Sequence, residues 1–235
     1  FSFIGVLAIL IFVPSLPRQE AVAPKRATMG KDILNGLQYI RKTPIILTVI
    51  IMLGFLSTFA MNFNVLVPVL AKIDLQAEAL GYGLLMSSLG LGALIGALVL
   101  AILSANGPQP RMLLAGGFGL GLFNILVGLQ NSYLASAVCL SFLGCAMIIF
   151  SASANSLVQT VIDSQYRGRV MSVYNLVFTG LTPVGSLYAG SLSDKWGGRV
   201  TFLISGVLCL VFMCGIVLWH REHRKGENHE NSRPL

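Results

Sequence analysis

Uncharged hydrogen-bonding side chains and aromatic rings occur together inside three long apolar stretches of the sequence. Such groups can hydrogen-bond to a large amphipathic solute and stack on it, so they suit its binding. An amide or a phenyl ring cannot carry a proton. We predict that one set binds a small-molecule substrate: Phe59, Asn62 and Phe63 in the first stretch, Phe150, Ser151 and Asn155 in the second, and Tyr174, Asn175 and Phe178 in the third. The alternative for any one of them is that it only holds helices together.

Residues that usually support catalysis are absent from these stretches. The three histidines, His220, His223 and His229, all follow the last apolar stretch, and no acidic residue lies inside one. The four cysteines lie within apolar stretches and lack the spacing of a metal site or a disulfide framework. No phosphate-binding loop or nucleophile elbow occurs. The sequence therefore argues against an enzyme and predicts neither a cofactor nor a metal.

The composition is that of an integral membrane protein. Of the 235 residues, 55% are hydrophobic and 11% are charged, whereas a soluble domain has about a quarter charged residues. Each of six apolar runs is long enough to cross about 30 Å of hydrocarbon as a helix. The sequence thus predicts an all-α bundle of transmembrane helices at residues 45–71, 80–104, 112–129, 134–161, 170–192 and 200–219.

Four regions are expected along the chain. Residues 1–13 begin inside an apolar run without a basic leader, so we expect the end of a preceding transmembrane helix and a chain that is a fragment. Residues 14–43 form a polar linker whose helical apolar face predicts an amphipathic helix, lying on the membrane surface or packed under the bundle. Residues 44–219 form the bundle, and residues 220–235 a polar, disordered tail.

The basic residues are distributed unequally between the two ends of the predicted bundle. Thirteen of the 16 lysines and arginines fall on one side, and only Lys72, Lys195 and Arg199 fall on the other. Cytoplasmic connections are enriched in Lys and Arg, which predicts a multi-pass protein of the cell membrane, a bacterial inner membrane, with linker and tail in the cytoplasm. The net charge of +7 arises from these basic connections and not from a phosphate-binding patch, so no nucleic-acid partner is expected.

Small residues recur at helical spacing within two of the runs. Gly92 and Gly96 lie four residues apart, as do Gly117 and Gly121. Faces of this kind let helix backbones approach closely, either in static packing or in helices that slide during transport.

Two motifs resemble a known family. The stretches DSQYRGRVMSVY (163–174) and PVGSLYAGSLSD (183–194) look like the last third of an exporter of the major facilitator superfamily. The subgroup they resemble includes the enterobactin exporter and macrolide and multidrug efflux permeases. GLQYIRKTP (36–44) is similar to the link into the seventh helix of that subgroup.

The resemblance implies the second half of a twelve-helix fold with inverted repeats. Its partner would be the N-terminal six-helix half of the same transporter, in a lipid bilayer, and residues 45–71 and 134–161 would line a central cavity. It further implies alternating-access export of a small amphipathic molecule such as a drug or siderophore, driven by protons that a group outside these spans must bind. The alternatives are an importer of a small metabolite and a non-transporting scaffold or receptor.

Two charged clusters are candidates for gating. Asp163, Arg167 and Arg169 occupy one short connection, where a forked arginine–carboxylate pair could latch two helix ends in one transport state. The alternative is that the arginines only orient the protein. Asp194 and Arg199 lie in GSLSDKWGGR (190–199), similar to a superfamily loop usually placed between the second and third helices of a bundle. Here it joins the last two helices and, by the distribution of basic residues, lies on the side opposite the cytoplasm.

Overall fold

The computed structural model describes the backbone of residues 29–104, 107 and 109–230, and the side chains of residues 34–104, 107 and 109–219. Predictions for residues 1–28 and 231–235 therefore lie outside the described residues. The described part is helical and contains no strand. Its elements are α1 (Met29–Lys42), α2 (Pro44–Phe59), α3 (Phe63–Val69) with a π-helical turn at Leu70–Asp74, α4 (Ala79–Leu103), α5 (Pro110–Leu129), α6 (Tyr133–Val161), α7 (Arg167–Gly180) and α8 (Thr182–Glu230).

Five segments of the described chain are long and apolar enough to cross a membrane. Four of them, from Pro44–Asp74 to Tyr133–Val161, hold 20 to 31 residues, which suits one crossing each. These helices confirm the prediction of a helical membrane protein. The fifth segment, Arg167–Trp219, holds 53 residues and as one straight helix would be roughly 80 Å long, far more than a bilayer needs.

The fifth segment folds back on itself at Gly197. This residue has φ 82° and ψ 168°, outside the helical region, within the hydrogen-bonded run of α8. The hydroxyl oxygens of Tyr188 and Ser205 lie 3.4 Å apart, although 17 residues along a straight helix would separate them by about 25 Å. The two parts of α8, before and after Gly197, are therefore a helical hairpin. Backbone helix continues to Glu230, beyond the predicted end of the last span.

Proline residues explain where the other helices begin and break. Pro44 occupies the first turn of α2, where its missing N–H costs nothing. Pro68 lies inside α3, which passes into a π-helical turn two residues later. Helix α7 ends at Gly180, because the ring of Pro183 would clash with the carbonyl group four residues earlier if the helix continued.

The predicted glycine faces bring helices together. A Cβ at Gly92 would overlap the backbone of Ser141, and one at Gly96 would lie 2.7 Å from the carbonyl oxygen of Cys145. In α5, a Cβ at Gly117 or Gly121 would lie 2.6 Å from a side chain of α8. The spacing thus correctly indicated close packing of α4 with α6 and of α5 with the second part of α8.

Helix α1 packs across the start of α7. Ile40 is buried, and Gly36 lies against the backbone of Arg169, whereas Leu34 and Leu37 of the predicted apolar face are exposed. The apolar residues of α1 are therefore divided between positions buried in the bundle and exposed positions.

Candidate functional site

The first group of predicted binding residues lies beside an aromatic cluster joining α2 to α8. Phe55 of α2 stacks on Phe212 with ring centroids 3.9 Å apart, and it contacts Phe59 at 4.7 Å. Phe59 in turn meets the ring of Tyr188 edge-on at 5.1 Å. Phe59 is half-buried in this cluster. The rings offer flat, polarisable surfaces, and the Tyr188 hydroxyl adds a hydrogen-bonding group.

Asn62 stands at the break between α2 and α3. Its side-chain amide donates a hydrogen bond of 2.6 Å to the carbonyl oxygen of Thr58, which the break leaves without a helical partner. A Cβ at Gly185 of α8 would lie 2.6 Å from Oδ1 of Asn62, so α8 covers the break closely. Asn124 of α5 donates to the carbonyl oxygen of Ala60 at 3.3 Å. Asn62 therefore supports the broken helix from a buried position.

The second and third groups meet where α6 faces α7. The hydroxyl of Tyr174 lies 3.4 Å from the carbonyl oxygen of Ser151 and donates to it. Tyr174 also stacks on Phe178 with centroids 6.4 Å apart. Phe150 is fully buried against the backbone of Gly116 in α5, on another side of α6.

The nine predicted residues divide by accessibility. Asn175 and Phe178 are exposed on α7, and Ser151 and Asn155 are partly exposed on α6. Asn155 accepts a short hydrogen bond from Gln159, one turn further along. The buried members are Asn62, Phe63, Phe150 and Tyr174. The amides of Asn155 and Asn175 and the ring of Phe178 are therefore accessible, while the buried residues pack between the helices.

At the α1 end of the bundle, Asp163 is bound to Tyr39. The Tyr39 hydroxyl donates to Oδ2 of Asp163 at 3.2 Å and accepts from the Asp163 backbone N–H at 3.3 Å. Tyr39 also stacks on Tyr166, with centroids 4.5 Å apart. Arg167 is exposed and Arg169 half-buried in the first turn of α7. Asp163, Arg167 and Arg169 therefore lie in one corner of the bundle, beside α1, where Asp163 is hydrogen-bonded to Tyr39.

At the opposite end, Gly197 and the two residues after it connect three helix ends. The backbone N–H of Gly198 donates to Oδ2 of Asp74 at 3.0 Å, so Asp74 caps the second part of α8. Arg199 donates to the carbonyl oxygens of Gly128 and Leu129 at 3.3 and 3.4 Å. A cation at the carbonyl end of α5 is favourable because of the helix dipole. Among the described side chains, exposed Asp194 takes no part in these bonds.

Several residues that make these contacts were not predicted from the sequence. Asp74, Asn124 and Phe212 are not among the residues for which the sequence predicts a functional role. The sequence pattern around them is uninformative, because a single asparagine or phenylalanine in an apolar run can pack against many different neighbours. Tyr39 lies in the GLQYIRKTP stretch (36–44), so the resemblance could have marked it.

This chain is similar to several curated bacterial proteins. Macrolide efflux protein A of Streptococcus pyogenes is 23% identical over 192 residues, covering 80% of this chain and 47% of the relative. The uncharacterized MFS-type transporter YvqJ of Bacillus subtilis is 23% identical, covering 92% and 51%. Enterobactin exporter EntS of Escherichia coli is 28% identical over 223 residues, covering 90% and 51%. The chain spans about half the length of the curated relatives it matches. No solved structure matches it.

The family match agrees with the helical architecture. Residues 1–234 match the family described as transmembrane secretion effector, and the described helices are those of a multi-pass membrane protein. This chain therefore belongs to the transmembrane secretion effector family of the major facilitator superfamily, a family of membrane transporters.

Proposed function

We propose that this chain is the C-terminal six-helix half of a secondary active transporter that exports a small amphipathic molecule by alternating access. The observation that supports this most is the accessible face formed by Asn155 on α6 and by Asn175 and Phe178 on α7. These residues lie within apolar segments, where an amide exposed to hydrocarbon is costly. Such a face therefore needs water or protein opposite it, and a solute path between two bundles supplies both.

The proposed partner is an N-terminal six-helix half, related to this one by the fold's repeats. A chain spanning about half the length of its curated relatives is consistent with one of two bundles. The names of those relatives refer to macrolide efflux and to enterobactin export. We therefore propose a drug or a siderophore as the solute class. The excess of basic residues at the α1 end supports a cytoplasmic linker and tail in a bacterial inner membrane.

We propose that protons drive the export, with the proton-binding group in the other half. The described acidic side chains lie at segment ends or in connections, as Asp74, Asp163 and Asp194 do. The amides of the accessible face cannot titrate. Proton coupling consequently requires a carboxylate or histidine opposite this face.

Reconstituted transport tests the proposal. The complete protein in proteoliposomes would be given a pH gradient and a panel of labelled macrolides and siderophores. Solute movement opposite to the proton gradient, abolished when the gradient is collapsed, is expected. Movement with the protons would favour an importer, and binding without movement would favour a scaffold or receptor.

Phe178→Ala should slow this flux about tenfold, because it removes the accessible ring that we expect to stack on the solute. Phe142→Ala is the matched control. Phe142 is also exposed, but it lies on the side of α6 opposite Ser151 and stacks on Phe123 of α5. Both variants should reach the membrane in wild-type amounts. Equal flux in the two variants would remove Phe178 from the solute path.

We also propose that the corner of Asp163, Arg167 and Arg169 gates transport. In the described structure Asp163 accepts a hydrogen bond from Tyr39. We propose that the cluster latches the ends of α6 and α7 in one transport state and loosens in the other. Arg167→Lys and Arg169→Lys keep the charge but lose the forked geometry, so flux should fall about tenfold with normal insertion. Wild-type flux in both would leave the arginines only an orienting role. Asp194 and Arg199 remain a proposed outer gate.

A further inference from the structure

An apolar cavity lies between the start of α2 and the second part of α8, at the α1 end of the bundle. Its volume is about 330 Å³, within the roughly 300–1,000 Å³ of small-molecule sites. It is lined by Thr48, Ile51, Phe212, Gly215, Ile216 and Trp219. The nine residues predicted to bind the solute are not among these six. The cavity is therefore a separate place of small-molecule size.

Gly215 keeps this cavity open. No described atom lies within 4 Å of the position that a Cβ on Gly215 would take. Phe212 precedes this glycine by three residues and Trp219 follows it by four, so both aromatic side chains lie on the same side of the helix as Gly215. A glycine with an aromatic ring one turn away in each direction leaves a slot between the two rings.

The cavity continues into the aromatic cluster that joins α2 to α8. Phe212 lines the cavity and stacks on Phe55 with ring centroids 3.9 Å apart. Phe55 in turn contacts Phe59 at 4.7 Å. Ile51 and Thr48 of the cavity lie one and two turns before Phe55, on the same side of α2. A row of aromatic rings thus connects the cavity to Phe59, which is one of the residues predicted to bind the solute.

The rim of the cavity is apolar and exposed. Ile51 and Trp219 are exposed at the rim, and Val211 and Leu218 are exposed on neighbouring turns of α8. Both helices belong to segments that are apolar enough to cross a membrane. Trp219 is the last residue of its segment, and tryptophan is enriched where a membrane span meets the headgroups. We therefore expect the cavity to open to hydrocarbon in the leaflet at the α1 end, the cytoplasmic one by the distribution of basic residues.

An aromatic molecule gains more in this cavity than a lipid acyl chain does. Transfer from the bilayer into an apolar cavity brings little hydrophobic gain, because both environments are apolar. Ring pairs that stack or meet edge-on are stabilised beyond the area that they bury, and an acyl chain has no ring. No charged side chain is among the described residues that line the cavity. The favoured occupant is therefore an uncharged aromatic group.

We propose that this cavity binds the aromatic part of an amphipathic molecule dissolved in the cytoplasmic leaflet. Its ring occupies the slot at Gly215 between Phe212 and Trp219, and its polar part stays at the headgroups. The cavity is the entry site of the exported solute, which then moves along Phe55 to Phe59. This second step rests on the proposed export function, whereas the binding of an aromatic group does not.

Photolabelling of the complete protein in liposomes tests the site. The aromatic probe is 3-trifluoromethyl-3-phenyldiazirine, and the comparison probe is phosphatidylcholine with a diazirine in one acyl chain. Peptide mass spectrometry locates the adducts. We expect the aromatic probe to label Phe212 and Ile216 about fivefold more than exposed Val211 and Leu218, because only the cavity offers rings for stacking. Labelling of the cavity by the acyl-chain probe as strongly as by the aromatic probe would show that lipid fills it and would overturn the proposal.

Gly215→Leu removes the cavity without removing a contact. The leucine side chain occupies the slot, so aromatic labelling of Phe212 and Ile216 should fall about fivefold. Cys214→Leu is the matched control, because it adds bulk at an exposed neighbour that does not line the cavity. It should change labelling less than twofold. Equal labelling in the two variants would mean that the probe is not bound at Gly215. Both variants should fold, since Gly215 has open space and Cys214 is exposed.

Flux of an aromatic solute separates the entry site from the export function. We expect flux through Gly215→Leu to fall about as much as its labelling, while Cys214→Leu keeps wild-type flux. Lost labelling with wild-type flux would overturn the path from the cavity to Phe59. Wild-type labelling of a protein that exports none of the solutes would refute the export function and support the aromatic site.

Discussion

Replacing Gly92 with alanine should separate α4 from α6 and destabilise the protein severely. The added Cβ would overlap the carbonyl oxygen of Ser141, and backbone cannot rotate away as a side chain can. The contact is reciprocal, because a Cβ at Gly144 of α6 would overlap the carbonyl oxygen of Leu89 in α4. Overpacking of this kind costs about 3 kcal/mol or more. We expect the melting temperature of the detergent-solubilised protein to fall by about 10 °C, with loss of monodisperse material in size-exclusion chromatography.

Gly90→Ala is the control for this prediction. It makes the same chemical change two residues earlier on the same helix, where no described atom lies within 4 Å of the new Cβ. Its melting temperature should equal or slightly exceed that of the wild type, since alanine is the better helix former. If Gly92→Ala and Gly90→Ala melted together, the close approach of α4 and α6 would be wrong.

The difference between these two glycines shows what local sequence could and could not predict. The spacing of Gly92 and Gly96 indicated a close helix contact, because the four-residue repeat is a local property of one helix. The same sequence did not identify Ser141 and Cys145 as the facing residues, since which helices become neighbours is decided by the packing of the whole bundle. Gly90 lacks a small residue four positions away, and no described atom lies within 4 Å of the position of its Cβ.

The candidate site was predictable to a similar extent. Polar and aromatic residues inside apolar runs were recognisable from residue type alone, and the structure places Asn175 and Phe178 at exposed positions. Residue type does not determine which side of a helix faces the bundle interior. The burial of Phe150 and Asn62 could therefore not be predicted from their residue types. The partners Tyr39 and Asp163 lie 124 residues apart, and a pairing at that separation leaves no local pattern.

Gly197→Ala should weaken the hairpin that places Tyr188 beside Phe59. Gly197 has φ 82° and ψ 168°, a region that is essentially restricted to glycine and costs other residues about 1–3 kcal/mol. The new Cβ would also lie 3.2 Å from Oδ1 of Asp74, the carboxylate that caps the adjacent Gly198. We expect a fall of about 5 °C in melting temperature and a marked loss of flux, because the aromatic cluster of α2 and α8 depends on the reversal.

Gly190→Ala is the control for this prediction. It tests whether any added methyl group in residues 190–199 destabilises the protein, or only one at the strained position of Gly197. Gly190 lies in the helical part of the same stretch, and no described atom is within 4 Å of the position of its Cβ. This variant should keep wild-type stability and flux. Asp74→Asn should lie between the two, because it retains an acceptor oxygen for the Gly198 N–H but removes the charge that favours a helix N-terminus. A Gly197→Ala protein as stable as Gly190→Ala would mean that the chain does not turn at Gly197. The last two apolar runs would then not be paired as an antiparallel hairpin.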